Sequence, residues 1–120
     1  MGSSFKDAVE EINSTFAKAY NNKDAAGCAA TYADDARIVY SDGKMMKGRK
    51  ALAAALKNTF KTDSKFGKYE IIRAVADGNV GYSVQKVTLS EGSCYVVSGY
   101  TRDASGKWLT DDEVASALST

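Results

Sequence analysis

The side chains of this sequence that could do acid and base chemistry are carboxylates and tyrosines, because the chain contains no histidine. The commonest general base at neutral pH and the commonest zinc ligand are therefore both missing. Carboxylates are densest at Asp111, Asp112 and Glu113. Adjacent side chains on a strand alternate between faces, so at most two of these acids share a face. Tyrosine, with an unperturbed pKa of about 10, is a poor base at neutral pH, so proton transfer here requires a carboxylate with tyrosine hydroxyls as hydrogen-bond donors.

Length and composition restrict the class of protein. The 120 residues suffice for one core, and we expect a single domain over residues 1–120. Sixteen basic and fifteen acidic residues leave a net charge of +1, which provides no field to attract nucleic acid or anionic lipid. No run approaches the roughly 20 apolar residues of a membrane span, and the first residues lack the apolar segment of a signal peptide. We therefore expect a cytoplasmic protein in which Cys28 and Cys94 are buried, reduced thiols.

Apolar spacing predicts three helices in the N-terminal half. Residues 4–20 carry apolar side chains at intervals of three and four, with Ser4 and Asp7 placed as in a capping box. Asp24 can cap a short second helix in "AAGCAATYA", and residues 51–60 show the apolar face of a third. Between these two helices, "ARIVY" predicts a strand and "SDGK" a turn.

Asp34 and Asp35 stand between the second helix and that strand. We expect the pair to end the helix, with its carboxylates bonding nearby backbone amides. A metal site or an acid and base dyad is the alternative.

The C-terminal half has the pattern of a β-sheet. Four segments rich in β-branched and aromatic residues are separated by the turns "DGN", "SEGS" and "DASG". Their even spacing predicts an antiparallel meander of four strands. Together with the helices, it predicts an α+β fold in which three N-terminal helices pack on one face of a curved, mostly antiparallel sheet.

This order of elements resembles the nuclear transport factor 2-like superfamily, a cystatin-like fold in which a bent sheet and a long first helix form a cone. The segment "YADDARIVY", with "KGR" before the third helix, is similar to the superfamily's signature. "DGNVGYSVQKVTL" and "ASGKWLTDDEVAS" are similar to its later strands. Within the superfamily, the chain looks most like the small SnoaL-like and ketosteroid-isomerase-like domains.

The resemblance also places the catalytic positions of ketosteroid isomerases on this sequence. Their first-helix tyrosine falls at Phe16, their aspartate base at Tyr40, and the acid of their third meander strand at or beside Ser98. All three residues depart from the catalytic pattern, so we do not expect a steroid-isomerase mechanism. For a general base the resemblance favours Asp112 at the mouth of the cone, with Tyr40 or Tyr100 as the hydrogen-bond donor.

Aromatic side chains on these elements predict a binding site for a flat or apolar small molecule inside the cone. Filling of the core or of a dimer interface is the alternative for each of them. Gln85 and Thr110 could add polar contacts, and Arg73 could pair with an acid or an anionic ligand. Which strand face points inward cannot be read from the sequence, because a bulge reverses it. The candidate ligand-binding residues are Phe16, Tyr20, Tyr40, Tyr82, Ser98, Tyr100 and Trp108.

Three functions fit these features. We expect a homodimeric SnoaL-like protein that binds a small molecule in the cone, without metal or cofactor. The first alternative is an isomerase, cyclase or dehydratase that uses a pocket carboxylate and tyrosines. The second is a homo-oligomerisation or protein-interaction module working through the outer sheet face. A buried carboxylate beside a tyrosine hydroxyl would favour catalysis. An open apolar cone without such a carboxylate would favour binding, and a cone filled by side chains would favour the interaction module.

Overall fold

The computed structural model describes residues 4–40 and 42–119. In these residues the chain forms three helices and one six-stranded sheet, so the predicted α+β fold is confirmed. The helices are α1 (Phe5–Asn21), α2 (Ala25–Ala29) and α3 (Arg49–Thr59). The strands are β1 (Tyr32–Val39), β2 (Met45–Lys47), β3 (Phe66–Asp77), β4 (Val80–Leu89), β5 (Gly92–Arg102) and β6 (Trp108–Ala115).

The sheet has the strand order β2-β1-β6-β5-β4-β3. Strands β3 to β6 form the predicted antiparallel meander. Strand β1 joins it in parallel beside β6, and β2 pairs antiparallel with β1. The sequence did not predict β2, since its three residues are too few to show a period, and Ser41 of the predicted turn before it lies outside the described residues. We call the face that the helices cover the inner face and the opposite one the outer face.

Helix α1 begins at the predicted capping box. The Ser4 hydroxyl accepts a hydrogen bond from the Asp7 backbone at 3.1 Å, and the Asp7 carboxylate accepts one from the Ser4 backbone at 3.4 Å. In the first turn, the Phe5 ring packs edge-on against Tyr100 and Trp108, with ring centroids 5.5 Å and 4.8 Å away. These contacts hold the start of α1 over β5 and β6. Within the described part of the chain, no helix has the length and apolarity that a membrane crossing requires.

Asp34 and Asp35 do not have the predicted role of ending α2. That helix ends before the pair, and β1 already begins at Tyr32, so both acids are strand residues. Asp34 accepts a hydrogen bond from Nη1 of Arg49 at 2.7 Å, while Nε of Arg49 donates to the Tyr32 carbonyl at 2.7 Å. Arg49 therefore joins β1 to the start of α3 and holds the backbone of Tyr32 in place.

The core lies between the three helices and the inner face, and the Tyr20 ring is one of its larger members. Its hydroxyl lies 2.7 Å from Ser64 Oγ, which donates to the Glu91 carboxylate at 2.8 Å. Because Ser64 uses its proton on Glu91, Tyr20 donates to Ser64. Cys28 and Cys94 are free, buried thiols, as predicted.

Replacing Tyr20 by Phe should lower the free energy of unfolding by about 1 kcal/mol, because the buried hydrogen bond to Ser64 is lost while the ring stays packed. Urea denaturation followed by circular dichroism measures this difference. Tyr95→Phe is the matched control, since Tyr95 is exposed on β5. Equal stability of the two variants would contradict the prediction.

Candidate functional site

Strand β6 carries one residue more than β5 opposite it, and this decides which acids face the helices. Thr110 pairs with Tyr100, and Asp112 pairs with the residue before Tyr100, so Asp111 has no partner of its own. A bulge of this kind shifts the alternation of side chains by one position. Thr110 is buried, Glu113 faces inward and Asp112 is exposed on the outer face.

A cavity of about 100 Å³ lies between the inner face, α1 and the turn from α2 to β1, and we call it the cone cavity. Phe16 and Phe66 form an apolar part of its wall. The opposite part is polar and contains a carboxylate beside tyrosine hydroxyls. The principal polar side chains are Asn13, Tyr32, Gln85, Ser98, Tyr100 and Glu113.

The Glu113 carboxylate is the only acid among the described residues that line the cone cavity. The Tyr32 hydroxyl donates a hydrogen bond to its Oε1 at 2.8 Å. Burial raises the pKa of Glu113 above its ordinary value of 4.5, and the hydrogen bonds from Tyr32 and Ser98 act in the opposite direction. Glu113 can therefore accept or release a proton closer to neutral pH than an exposed glutamate.

The hydroxyls of the two cavity tyrosines, Tyr32 and Tyr100, stay protonated at neutral pH and can donate hydrogen bonds. Burial and the nearby charge of Glu113 raise the pKa of Tyr32 well above 10, and burial raises the pKa of Tyr100 as well. The Tyr100 hydroxyl lies 2.7 Å from Ser83 Oγ and 3.5 Å from Nε2 of Gln85. Gln85 is held in turn by the Asn13 side chain, which donates to its Oε1 at 2.6 Å. Every buried polar side-chain atom in the described residues has a partner.

A second, larger cavity of about 530 Å³ opens between α1 and the turn from β5 to β6, and we call it the outer cavity. Trp108 and Arg102 form part of its wall. Ile12 and Thr31 line both cavities, so the two spaces lie on either side of these side chains.

The residues predicted from the sequence fall into four environments. Phe16, Ser98 and Tyr100 line the cone cavity, and so do Gln85 and Thr110. Trp108 lines the outer cavity. Tyr20 belongs to the closed part of the core. Tyr40, Tyr82, Arg73 and Asp112 are exposed.

Asp112, Tyr40 and Tyr82 therefore do not take the positions expected of them. Asp112 is on the outer face because the bulge reverses the alternation. Tyr40 follows the last residue of β1 and is 38% exposed. Tyr82 is on the outer face of β4, where its hydroxyl accepts a hydrogen bond from Nε of Arg73 at 2.8 Å.

Among the principal polar side chains of the cavity, sequence reasoning missed three: Glu113, Tyr32 and Asn13. Glu113 was visible within the acidic cluster, but the bulge was not. Tyr32 was read as part of the signature before β1. Asn13 offered a signal that could have been used, because it interrupts the apolar stripe of α1 between Val9 and Phe16.

The described residues contain no group of three acidic or cysteine side chains close enough to hold a metal ion. The cone cavity itself brings together one carboxylate and neighbouring hydroxyl and amide groups. Such a set can bind a small polar group, or move a proton to and from it.

The family profile described as a SnoaL-like domain matches residues 14–109. The chain belongs to the SnoaL-like family. This confirms the resemblance on which the site expectations were based. No curated protein matches this SnoaL-like chain in sequence.

Solved structures show the same fold. A domain of unknown function with a cystatin-like fold from Nostoc punctiforme has a TM-score of 0.84 and 16% identity, over 100% of this chain and 81% of that one. A ketosteroid isomerase-like protein from Erwinia carotovora atroseptica has a TM-score of 0.79 and 21% identity, over 95% of this chain and 96% of that one. A putative calcium/calmodulin-dependent protein kinase type II association domain from Thiobacillus denitrificans has a TM-score of 0.77 and 18% identity, over 92% of this chain and 94% of that one. The predicted cone-shaped, nuclear-transport-factor-2-like fold is thus confirmed.

Burial of Glu113 should make the stability of the protein depend on pH. Because its folded-state pKa is raised, Glu113 contributes stability that is fully present below pH 4.5 and is lost as the pH rises through the folded-state value. We expect Glu113→Gln to become progressively more stable relative to the unaltered protein over this window, and the difference then to level off.

Urea denaturation at a series of pH values measures this difference. Glu10→Gln, which makes the same chemical change at an exposed position on α1, is the matched control. If both variants gave the same pH profile, overall charge and not burial of Glu113 would be the cause.

Proposed function

We propose that this SnoaL-like protein binds the reactive end of a small carbonyl compound in the cone cavity and moves a proton within it through Glu113. The observation that carries this proposal is the Glu113 carboxylate in the cavity wall, 2.8 Å from the Tyr32 hydroxyl. A carboxylate whose pKa is raised by burial is a stronger base at neutral pH than an exposed one, and such groups are concentrated at functional sites.

The walls of the cavity suit such a ligand. Phe16 and Phe66 offer apolar surface to the carbon skeleton. Tyr100 offers an O–H donor to a carbonyl oxygen when Ser83, 2.7 Å away, donates its own proton to the Tyr100 hydroxyl. The Gln85 amide donates to Asn13 and Ser83 at 3.3 Å and so holds this arrangement in place. Donors that are already held in place stabilise negative charge on an oxygen without having to reorganise during the reaction.

The proposed step is a transfer of one proton between two carbons. Glu113 removes a proton from the carbon next to the carbonyl, and the C–H bonding pair becomes the C=C bond of an enol or enolate. The negative charge moves to the carbonyl oxygen, where Tyr100 donates a hydrogen bond. Where a C=C bond adjoins that carbon, the enolate extends over it as a dienolate. Glu113 then returns the proton to the far carbon of that bond, so the C=C bond shifts by one position and an isomerisation is completed with no net gain or loss of electrons.

Tyr32 has the role of a positioning residue in this mechanism. Its hydroxyl holds one oxygen of Glu113 and leaves the other oxygen for the substrate. Its own backbone is held by Nε of Arg49 at 2.7 Å. The hydrogen bond from Tyr32 also limits how far burial raises the pKa of Glu113.

Proton transfer can be tested without knowing the natural substrate. In deuterated water, the protein should accelerate the exchange of hydrogen next to the carbonyl in at least one member of a panel of small aryl ketones, measured by proton NMR. Glu113→Gln should reduce the rate by roughly a hundredfold or more, because the base is lost. Asp112→Asn removes the neighbouring carboxylate on the outer face and should leave the rate unchanged, as should Glu10→Gln.

Three outcomes separate the functions that the sequence left open. Exchange that survives in Glu113→Gln, or that is lost in Asp112→Asn, would contradict the assignment of the base. Binding of the ketones that depends on Glu113, without any exchange, would favour a binding protein. The absence of both would leave the interaction module as the remaining function.

The outer face supports a second proposal, that two copies of this chain associate through their sheets. Paired positions form an apolar row across five strands, made of Met45, Val39, Val114, Val97 and Val84. Met45, Val114 and Val97 are 63%, 50% and 47% exposed. An apolar row of this extent is self-complementary about a two-fold axis and is typical of a homodimer interface. The solved structure from Thiobacillus denitrificans is itself described as an association domain.

Val97→Lys should convert the homodimer to a monomer, because it would bury a charge at the centre of the apolar row. Analytical ultracentrifugation at micromolar concentration measures the change. Ala54→Lys adds the same charge at an exposed position on α3 and should leave the dimer intact. A monomeric unaltered protein, or a dimer that persists in Val97→Lys, would contradict the proposal.

A further inference from the structure

The cone cavity is too small to enclose a whole substrate. Its volume of about 100 Å³ is below the roughly 300 to 1,000 Å³ of ordinary small-molecule sites. The adjoining outer cavity, at about 530 Å³, lies within that range, and only side chains such as Ile12 and Thr31, which line both cavities, separate the two. The outer cavity therefore offers neighbouring space of ordinary size for the remaining atoms of a ligand whose reactive end reaches Glu113.

Arg102 is the most tightly held charge in the outer cavity. Its Nε donates to Oδ1 of Asn79 at 3.0 Å, and its Nη2 donates to the Gly78 carbonyl at 3.2 Å. The guanidinium also lies over the Trp108 ring, 5.1 Å from the ring centroid. The Arg102 side chain thus has a defined position although the residue is exposed, and a ligand would not have to order it.

This guanidinium keeps unused capacity for an anion. Within the described residues, Nη1 of Arg102 makes no hydrogen bond, and no carboxylate lies within ion-pair distance of the side chain. Lys107 lies on the same wall and adds a second positive charge. Glu11, from α1, is the one acid among the described residues that line the cavity. The cavity therefore has a net positive charge at its β5–β6 wall.

We propose that the outer cavity binds the carboxylate of a keto acid, so that Arg102 and Lys107 hold the anionic end while the carbonyl end enters the cone cavity. This inference rests on the proposed function, which supplies the carbonyl end. Arginine binds a carboxylate through charge-assisted hydrogen bonds of good geometry, and Trp108 with Ile12 gives apolar surface to the chain between the two ends.

Trp108 makes this proposal directly measurable, because it is the only tryptophan in the chain and lines the outer cavity. The probes are 4-oxo-4-phenylbutanoate and its uncharged methyl ester, titrated against Trp108 fluorescence and against backbone amide resonances. We expect the carboxylate to bind about tenfold more tightly than the ester, since one charge-assisted interaction distinguishes them.

Variants then identify the group responsible. Arg102→Gln should remove the preference for the carboxylate, and Lys107→Gln should reduce it. Glu11→Gln should increase the preference for the carboxylate, because it removes a negative charge that repels the carboxylate of the ligand. Arg37→Gln makes the same change as Arg102→Gln at an exposed position of β1 and should leave the preference intact.

The possible results distinguish a failure of this inference from a failure of the proposed function. Equal binding of the two probes, or a preference that persists in Arg102→Gln, overturns the carboxylate site while leaving the role of Glu113 standing. Binding that keeps its preference for the carboxylate, while hydrogen exchange next to the ketone is absent or survives in Glu113→Gln, contradicts the proposed function and leaves the carboxylate site standing. If neither this keto acid nor acetate at millimolar concentration changes the fluorescence or the amide resonances, the outer cavity is not a carboxylate site.

Discussion

The unpaired residue in β6 is the constraint on which the site depends. Asp111 has no partner on β5, and the pairing of β6 with β1 shifts register over the same segment. Without this extra residue, strict alternation from Thr110 would bring Asp112 to the inner face and turn Glu113 away. The register of a single strand pair therefore determines which carboxylate enters the cone, how deeply it is buried, and which tyrosines it meets.

Burying the Glu113 carboxylate lowers the stability of the folded protein, and its hydrogen bonds offset this loss only in part. The Tyr32 hydroxyl donates to Glu113 and the neighbouring Ser98 hydroxyl also favours the charged form, yet the pKa of Glu113 remains raised, so burial outweighs both effects. A purely structural network would be equally well satisfied by an uncharged glutamine, which can accept the hydrogen bond from Tyr32. A side chain that lowers stability at neutral pH is expected where function requires it.

Most of the fold could be predicted from the sequence, because helices and strands of ordinary length show the periodic spacing of apolar residues that is typical of each. The capping box at Ser4, the meander and the α+β arrangement follow from patterns that span many residues. The site was predicted less well, since it depends on features only one residue long. The bulge at Asp111 does not change the periodic pattern of apolar residues, so the sequence favoured Asp112 over Glu113. The positions of Phe16 and Tyr100 do not depend on that bulge, and both residues line the cavity as expected.

The packing of helix α1 explains why a cavity is present between the helices and the sheet. Between Val9 and Ala19, no residue of the helix is fully buried, although both ends are packed tightly. In this middle part, Asn13 takes a position in the apolar stripe and donates a hydrogen bond to Gln85, so a polar contact replaces apolar packing between the helix and the sheet. Ile12, one residue earlier, faces both cavities. The incomplete packing in the middle of α1 thus leaves the cone cavity between this helix and the sheet, so the position of one polar side chain on the helix determines where the core is open.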